Sequence, residues 1–248
     1  MPLMGDGSSI AGNRGRMLPE ELLATLQQFD TCTVANAIER LGVRLRNQGF
    51  TRPGLQCLTD DSARLLGYAA TFKVRSSDPP MTGPSFFDRT DWWTEIDRVP
   101  LPRVAVFEDL EAELGTGSVV GEVHAAILQA LNCRGVITNG AVRDLPGIRR
   151  MNYPVFARTV TVSHAYAHIV GYGSPVDING LEIRQGDLLY ADFHGVVSIP
   201  IEIAEELPRV ASEIRAGEQR IVDLCQSPEF SREKLLEAIR SNGGGNRC

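Results

Sequence analysis

The residues best suited to chemistry lie between Gly121 and Asp144, where the chain reads GEVHAAILQALNCRGVITNGAVRD. The pattern predicts a polar turn, an amphipathic helix over Glu122 to Leu131, and a buried strand over Gly135 to Gly140. An adjacent Arg143–Asp144 pair follows the strand. The β-branched run Val136–Thr138 suits a central strand, and Gly140 permits a turn just after it. In open α/β sheets, ligand sites gather at the carboxyl ends of strands. There Arg143 could clamp a carboxylate through two parallel hydrogen bonds. Asp144 could hold Mg²⁺ or Mn²⁺, both of which prefer oxygen ligands. The local alternative is that Asp144 caps the following helix and pairs with Arg143 or Arg149.

Gly121-Glu122-Val123-His124 opens the predicted helix. Free backbone N–H groups at such an end suit an anionic ligand. Glu122 could then be a hard oxygen ligand or hold a metal-bound water. Alternatively, it is one more acid favoured in a first helical turn. The four histidines, His124, His164, His168 and His194, all lie at or beyond the midpoint of the chain. His164 and His168 form H-x-x-x-H, which faces one way if helical, but the glutamate of a zincin motif is missing. Each His has a structural reading as a hydrogen-bonded turn residue. Their clustering also favours acid–base work for at least one of them.

Several elements must position these groups. Leu18-Pro19-Glu20-Glu21 and Asp30-Thr31-Cys32-Thr33 predict two helix starts, the second helix ending at Gly42. Leu65 to Val74 reads as a strand interrupted by Gly67. Residues 76–97 form a Pro/Trp-rich excursion holding a turn or short helix, where Trp92 and Trp93 could line a pocket or an interface, with an interface the default expectation. Val104–Phe107, the strand before Gly140 and Val155–Arg158, separated by helices, predict a parallel α/β core. Asn179-Gly180 marks a hairpin, and Phe193-His194-Gly195 a second one. Three C-terminal helices are expected, over Ile201 to Ile214, Arg220 to Cys225 and Ser231 to Ile239. Residues 1–17 and 241–248 read as flexible ends around a single domain over 18–240.

Composition excludes several classes. The chain has 248 residues, 43% hydrophobic and 23% charged, with net charge −6. Lysines and arginines are dispersed, which argues against a nucleic-acid partner. No apolar run reaches the length of a membrane span and no signal-peptide pattern opens the chain, so a cytoplasmic protein is expected. Cys32, Cys57, Cys133, Cys225 and Cys248 are odd in number and widely spaced, as free thiols in a reducing compartment would be. Cys133 reads as a core residue.

With these residues in view, the sequence resembles the RraA-like family. That family includes class II pyruvate aldolases acting on 4-hydroxy-4-methyl-2-oxoglutarate and 4-carboxy-4-hydroxy-2-oxoadipate. The resemblance rests on GEVH at 121–124, NGAVRD at 139–144, PVFAR at 154–158 and GDLLYADFHGVVSIP at 186–200. TCTVANAIERLG at 31–42 and the Gly67 strand also fit.

The resemblance implies a compact three-layer α/β/β/α fold, related to swivelling phosphohistidine-like domains, with C-terminal helices. It implies a homotrimer or a homohexamer with sites between subunits. Backbone groups of Gly121, Glu122, Val123 and His124 would contact the carboxylate of a small 2-oxo acid substrate. Arg143 would hold the pyruvyl group, Asp144 would ligate Mg²⁺ or Mn²⁺, and Glu122 would hold metal-bound water. In the better-known aldolases an acidic residue of a neighbouring subunit completes the site; here the sequence offers His194 or His168 for that job.

The implied reaction is metal-dependent carbon–carbon cleavage of a 4-hydroxy-2-oxo acid to pyruvate, with oxaloacetate decarboxylation through the same enolate. Two alternatives remain: a His-assisted hydrolase, isomerase or dehydratase on a sugar-acid-like substrate, and a non-catalytic regulator of the RNase E type.

Overall fold

The computed structural model describes residues 17–80 and 91–242. The expectations for the N-terminal segment, the middle of the 76–97 excursion and the tail fall almost entirely outside them. In chain order the helices are α1 (Glu20–Leu26), α2 (Thr31–Leu41), α3 (Asp91–Asp97), α4 (Glu122–Ala130), α5 (Leu145–Arg150), α6 (Leu207–Gln226) and α7 (Arg232–Asn242). The strands are β1 (Gln56–Cys57), β2 (Leu65–Arg75), β3 (Arg103–Asp109), β4 (Ser118–Val120), β5 (Cys133–Val142) and β6 (Val155–Val160). They continue with β7 (His168–Tyr172), β8 (Val176–Ile178), β9 (Leu181–Ile183), β10 (Leu188–Asp192) and β11 (Gly195–Ile199).

Nine strands join one mixed sheet in the order β1-β6-β5-β3-β2-β10-β11, with β4 added to β5 and β7 to β2. β2, β3, β5 and β6 run parallel, β10 returns antiparallel along β2, and β11 pairs antiparallel with β10 at the sheet edge. Alternate residues of each central strand serve opposite faces. Leu66, Tyr68, Ala70 and Phe72 of β2 face the helices, while Leu65 and Ala69 face the β8–β9 hairpin. The result is the layered α/β architecture expected, with the sheet clamped between helices and a hairpin.

Local signals account for much of this. Asp30 accepts a hydrogen bond from Thr33 N at 2.6 Å to start α2, and left-handed Gly42 (φ 68°) ends it. Asn179 and Gly180, both at positive φ, turn β8 into β9. Gly67 lets β2 approach its neighbour, since a Cβ there would lie 2.6 Å from the Pro102 carbonyl oxygen. Among the described residues no helix is long and apolar enough to cross a membrane.

Other expectations need correction. Trp92 is 1% exposed and packs edge-on against Phe72 at 5.2 Å, so it belongs to the core rather than to an interface. The first two C-terminal helices are replaced by a short 3₁₀ turn and the single twenty-residue α6. Gly217 is buried inside α6, and tertiary packing overrides its low helix propensity. His164 and His168 share no helix face: Ala165 between them has φ 48°, and His168 begins β7.

Candidate active site

β4, a three-residue strand, decides where the motif residues meet. β5 pairs with β3 up to Thr138, then with β4 from Ala141 onward. Asn139 bridges the change. Its side chain accepts from Asp109 N at 2.7 Å and donates to the Asp109 carbonyl at 3.2 Å, replacing a strand's backbone. Gly140 follows because a Cβ there would fall 2.9 Å from the Asp109 side chain. The Asp109 carboxylate accepts from Glu111 N and Gly115 N, fixing the loop that delivers β4. Arg143 N then donates to the Val120 carbonyl at 3.0 Å, setting Gly121 beside the Arg143–Asp144 pair.

Asp144 occupies the N-cap position of α5 but makes no capping hydrogen bond. It is left-handed (φ 58°, ψ 31°), a conformation with an energetic cost for a non-glycine residue. Its carboxylate turns back, lying 3.4 Å from Arg143 Nε and accepting from Glu122 N at 3.3 Å. The capping alternative therefore fails, and the Arg143 pairing holds. The carboxylate also sits at the positive end of α4. Its side chain remains 45% exposed, open to a ligand.

Gly121 owes its identity to this contact and not to its backbone angles. A Cβ on it would lie 2.5 Å from Asp144 Oδ2 and 3.2 Å from Arg143 Nε. Gly121→Ala should therefore leave the melting temperature near its original value while displacing both functional groups. Misplacement by about 1 Å can cost about a hundredfold in rate. Steady-state kinetics beside thermal melts would check this, and unchanged kcat/KM would remove Gly121 from the site.

A cleft of about 50 Å³ is lined by Ser118, Val119, Gly121, Val123, His124, Arg143, Asp144, His164 and Ala167. The profile described as "RraA-like: Aldolase/RraA" matches residues 31–198. The chain belongs to the RraA-like family. Protein DlpA of Legionella pneumophila is 32% identical over 201 residues, covering 79% of this chain but 31% of DlpA. The chain thus spans about a third of that relative's length. A Halalkalibacterium halodurans protein, provisionally named a 4-hydroxy-4-methyl-2-oxoglutarate aldolase, is 24% identical over 193 residues, 73% of this chain and 90% of that one. The fold is shared with Streptomyces coelicolor RraAS2, described as an unusual member of the RNase ES inhibitor RraA family. The TM-score is 0.65 at 22% identity, covering 82% of this chain and 96% of that one.

Of the residues expected from the RraA-like motifs, Gly121, Val123, His124, Arg143 and Asp144 meet at the cleft. Glu122 is adjacent, but its carboxylate leans over Gly147, where a Cβ would strike it, and lies 3.3 Å from Arg150. His168 does not line the cleft; its Nδ1 lies 2.7 Å from the Tyr166 carbonyl oxygen. His194 stands at the opposite end of the sheet, because β10 pairs Ala191 with Leu65 at the start of β2. It contacts buried Asp192, whose carboxylate accepts from Thr31 N and Thr31 Oγ1 at the start of α2. Burial opposes ionisation of Asp192 most, but its hydrogen bonds from Thr31 and His194 together hold the carboxyl below the usual range. Within one chain Asp192 and His194 thus serve the α2 junction.

Two polar cleft residues, Ser118 and His164, lie outside the GEVH and NGAVRD motifs. Ser118 belongs to β4, too short to carry a periodic signal. His164 arrives on the 161–167 turn, held where Ser118 N donates to the Ser163 carbonyl at 2.9 Å. The H-x-x-x-H spacing flagged His164, but only the tertiary path selected it over His168.

Burial first, then the Arg143 guanidinium and His164, lower the His124 pKa from 6.5 to about 4. At neutral pH this imidazole is uncharged. Because the folded pKa is depressed, the stability it confers is complete above about pH 6.5 and is lost as pH falls toward 4. The difference amounts to about 3 kcal/mol. Urea unfolding at pH 7 and pH 4 should show the wild type losing that much more stability than His124→Leu. Equal losses would contradict a buried neutral His124.

Proposed function

We propose that this chain is a divalent-metal-dependent carbon–carbon lyase that cleaves a 4-hydroxy-2-oxo acid to pyruvate. One observation carries the reading: Asp144 is held left-handed, without capping its helix, so that its carboxylate stands beside Arg143 at the start of α4. Capping of α5 does not account for that geometry, and an anion–metal site beside the start of α4 fits it.

The donor set fits a hydrated hard cation. Among the described residues no group of three or more His, Cys, Asp or Glu converges as a metal cage. Two carboxylates, Asp144 and Glu122, flank Gly121 and are about half exposed. Mg²⁺ characteristically binds one or two carboxylates and keeps several waters. Asp144 would hold Mg²⁺ or Mn²⁺, with Glu122 toward its water shell, and the ion would supply Lewis acidity for the ketone.

The chain's own groups account for the rest. Backbone N–H groups at the start of α4 and the Arg143 fork orient the 2-oxo acid. His164, which lines the cleft, takes the proton of the 4-hydroxyl. Those O–H electrons form the new carbonyl, the C3–C4 bond breaks, and its electrons become the C2–C3 double bond of the pyruvate enolate. Arg143 offsets the charge arriving on the C2 oxygen. A proton delivered to C3 then yields pyruvate. Decarboxylation of oxaloacetate gives the same enolate and belongs to the same proposal.

A homotrimer or homohexamer is part of this reading. Exposed Val123, Val160, Val162 and Tyr166 supply apolar surface for another copy.

The test is pyruvate release from 4-hydroxy-4-methyl-2-oxoglutarate and from oxaloacetate, with Mg²⁺ or Mn²⁺ and with EDTA. Release that disappears with EDTA and returns with added metal is expected. A folded, metal-binding protein that releases none would instead favour the family's regulatory branch, or a His-assisted reaction on a sugar acid.

A further inference from the structure

A cavity of about 510 Å³ opens at the other end of the sheet, where β2 and β5 begin. It shares no lining residue with the cleft beside Arg143. Its volume is in the range that accepts a small organic molecule. Leu65, Leu101, Pro102 and Pro154 give it an apolar floor.

Its charge runs against that of the chain. The protein carries net charge −6, yet Arg64 and Arg134 line this cavity and no acidic residue does. The two arginines enter the lining from neighbouring places: a Cβ on Gly135 would lie 2.8 Å from the Leu65 side chain, and each arginine directly precedes one of these residues. Arg64 is anchored on the Gln27 carbonyl oxygen. The Arg134 side chain makes no hydrogen bond or ion pair among the described residues.

We propose that this cavity is a second ligand site, separate from the reaction centre, for a small carboxylate with an apolar body. The guanidinium groups of Arg134 and Arg64 take the carboxylate, for which their planar forks are suited. The leucine and proline floor takes the apolar part. The site does not depend on the reaction proposed above.

Benzoate is a suitable probe, and calorimetric titration into Arg143→Gln removes the competing anion site. One equivalent per chain is expected. Adding Arg134→Gln or Arg64→Gln should weaken binding at least tenfold, both being exposed side chains whose loss leaves the circular dichroism spectrum unchanged. In the unsubstituted chain, amide NMR shifts at Gln129, Asn132 and Arg134 on benzoate addition should report the same site without any variant. The assignment is overturned if Arg143→Gln takes up no benzoate, if the added substitutions leave its affinity unchanged, or if those amides stay still. Inorganic phosphate binding as tightly as benzoate would overturn the apolar half of the proposal.

Discussion

Asp144→Asn should lower kcat/KM for metal-dependent pyruvate release about a thousandfold, equivalent to about 4 kcal/mol of transition-state stabilisation, while the protein stays folded. Asparagine is nearly the same size and tolerates left-handed backbone better than most residues, so φ 58° at this position is retained. Asp144 makes no capping bond to its own helix, and the amide oxygen of asparagine can still accept from Glu122 N. What changes is charge: a neutral amide is a poor ligand for a hard divalent cation and does not ion-pair with Arg143. Two measurements separate fold from function. Thermal melts should shift little, while calorimetric Mn²⁺ affinity should fall together with activity. If Asp144→Asn keeps activity within tenfold of wild type, the metal belongs elsewhere and the proposed centre is wrong.

Arg143→Lys is the second large effect. It preserves the positive charge, so charge alone predicts a mild phenotype. Geometry predicts a loss of about a hundredfold to a thousandfold in kcat/KM, because a point-like ammonium does not reproduce the guanidinium fork. Arg143 is asked to grip the ground-state carboxylate and to meet charge developing on the C2 oxygen. Both KM and kcat should therefore worsen, and the inhibition constant for pyruvate should rise with KM. A variant that changes KM alone would reduce Arg143 to a binding group. Its side chain is only partly buried, 33% exposed, so the substitution tests chemistry rather than packing.

The motif residues were legible as a set, but their reasons were not. NGAVRD shows a buried strand ending in a charged pair. The same six letters do not show that Asn139 imitates a strand for Asp109, or that Gly140 makes room for that aspartate's side chain. GEVH shows a helix start, yet its glycine is explained only by an Asp144 oxygen twenty-three positions later. Trp92 reads as an interface residue because polar, Pro-rich neighbours surround it in sequence. Its burial against Phe72 and Phe107 is contributed by distant strands.

Sequence by itself determined what local physics controls. The Asp30 cap and Gly42 stop of α2, the Asn179-Gly180 turn, the apolar alternation of the central strands and the Arg143–Asp144 pair all act within a few residues. Tertiary structure alone decided which of these meet. β4 is too short to announce itself, yet its docking on β5 brings Gly121 to Asp144. The path of the 161–167 turn selects His164 over His168, and the return of β10 along β2 carries His194 to the far end. Those choices depend on register and chain crossing, summed over contacts between residues far apart in sequence, and such contacts leave no periodic or nearest-neighbour trace in the chain.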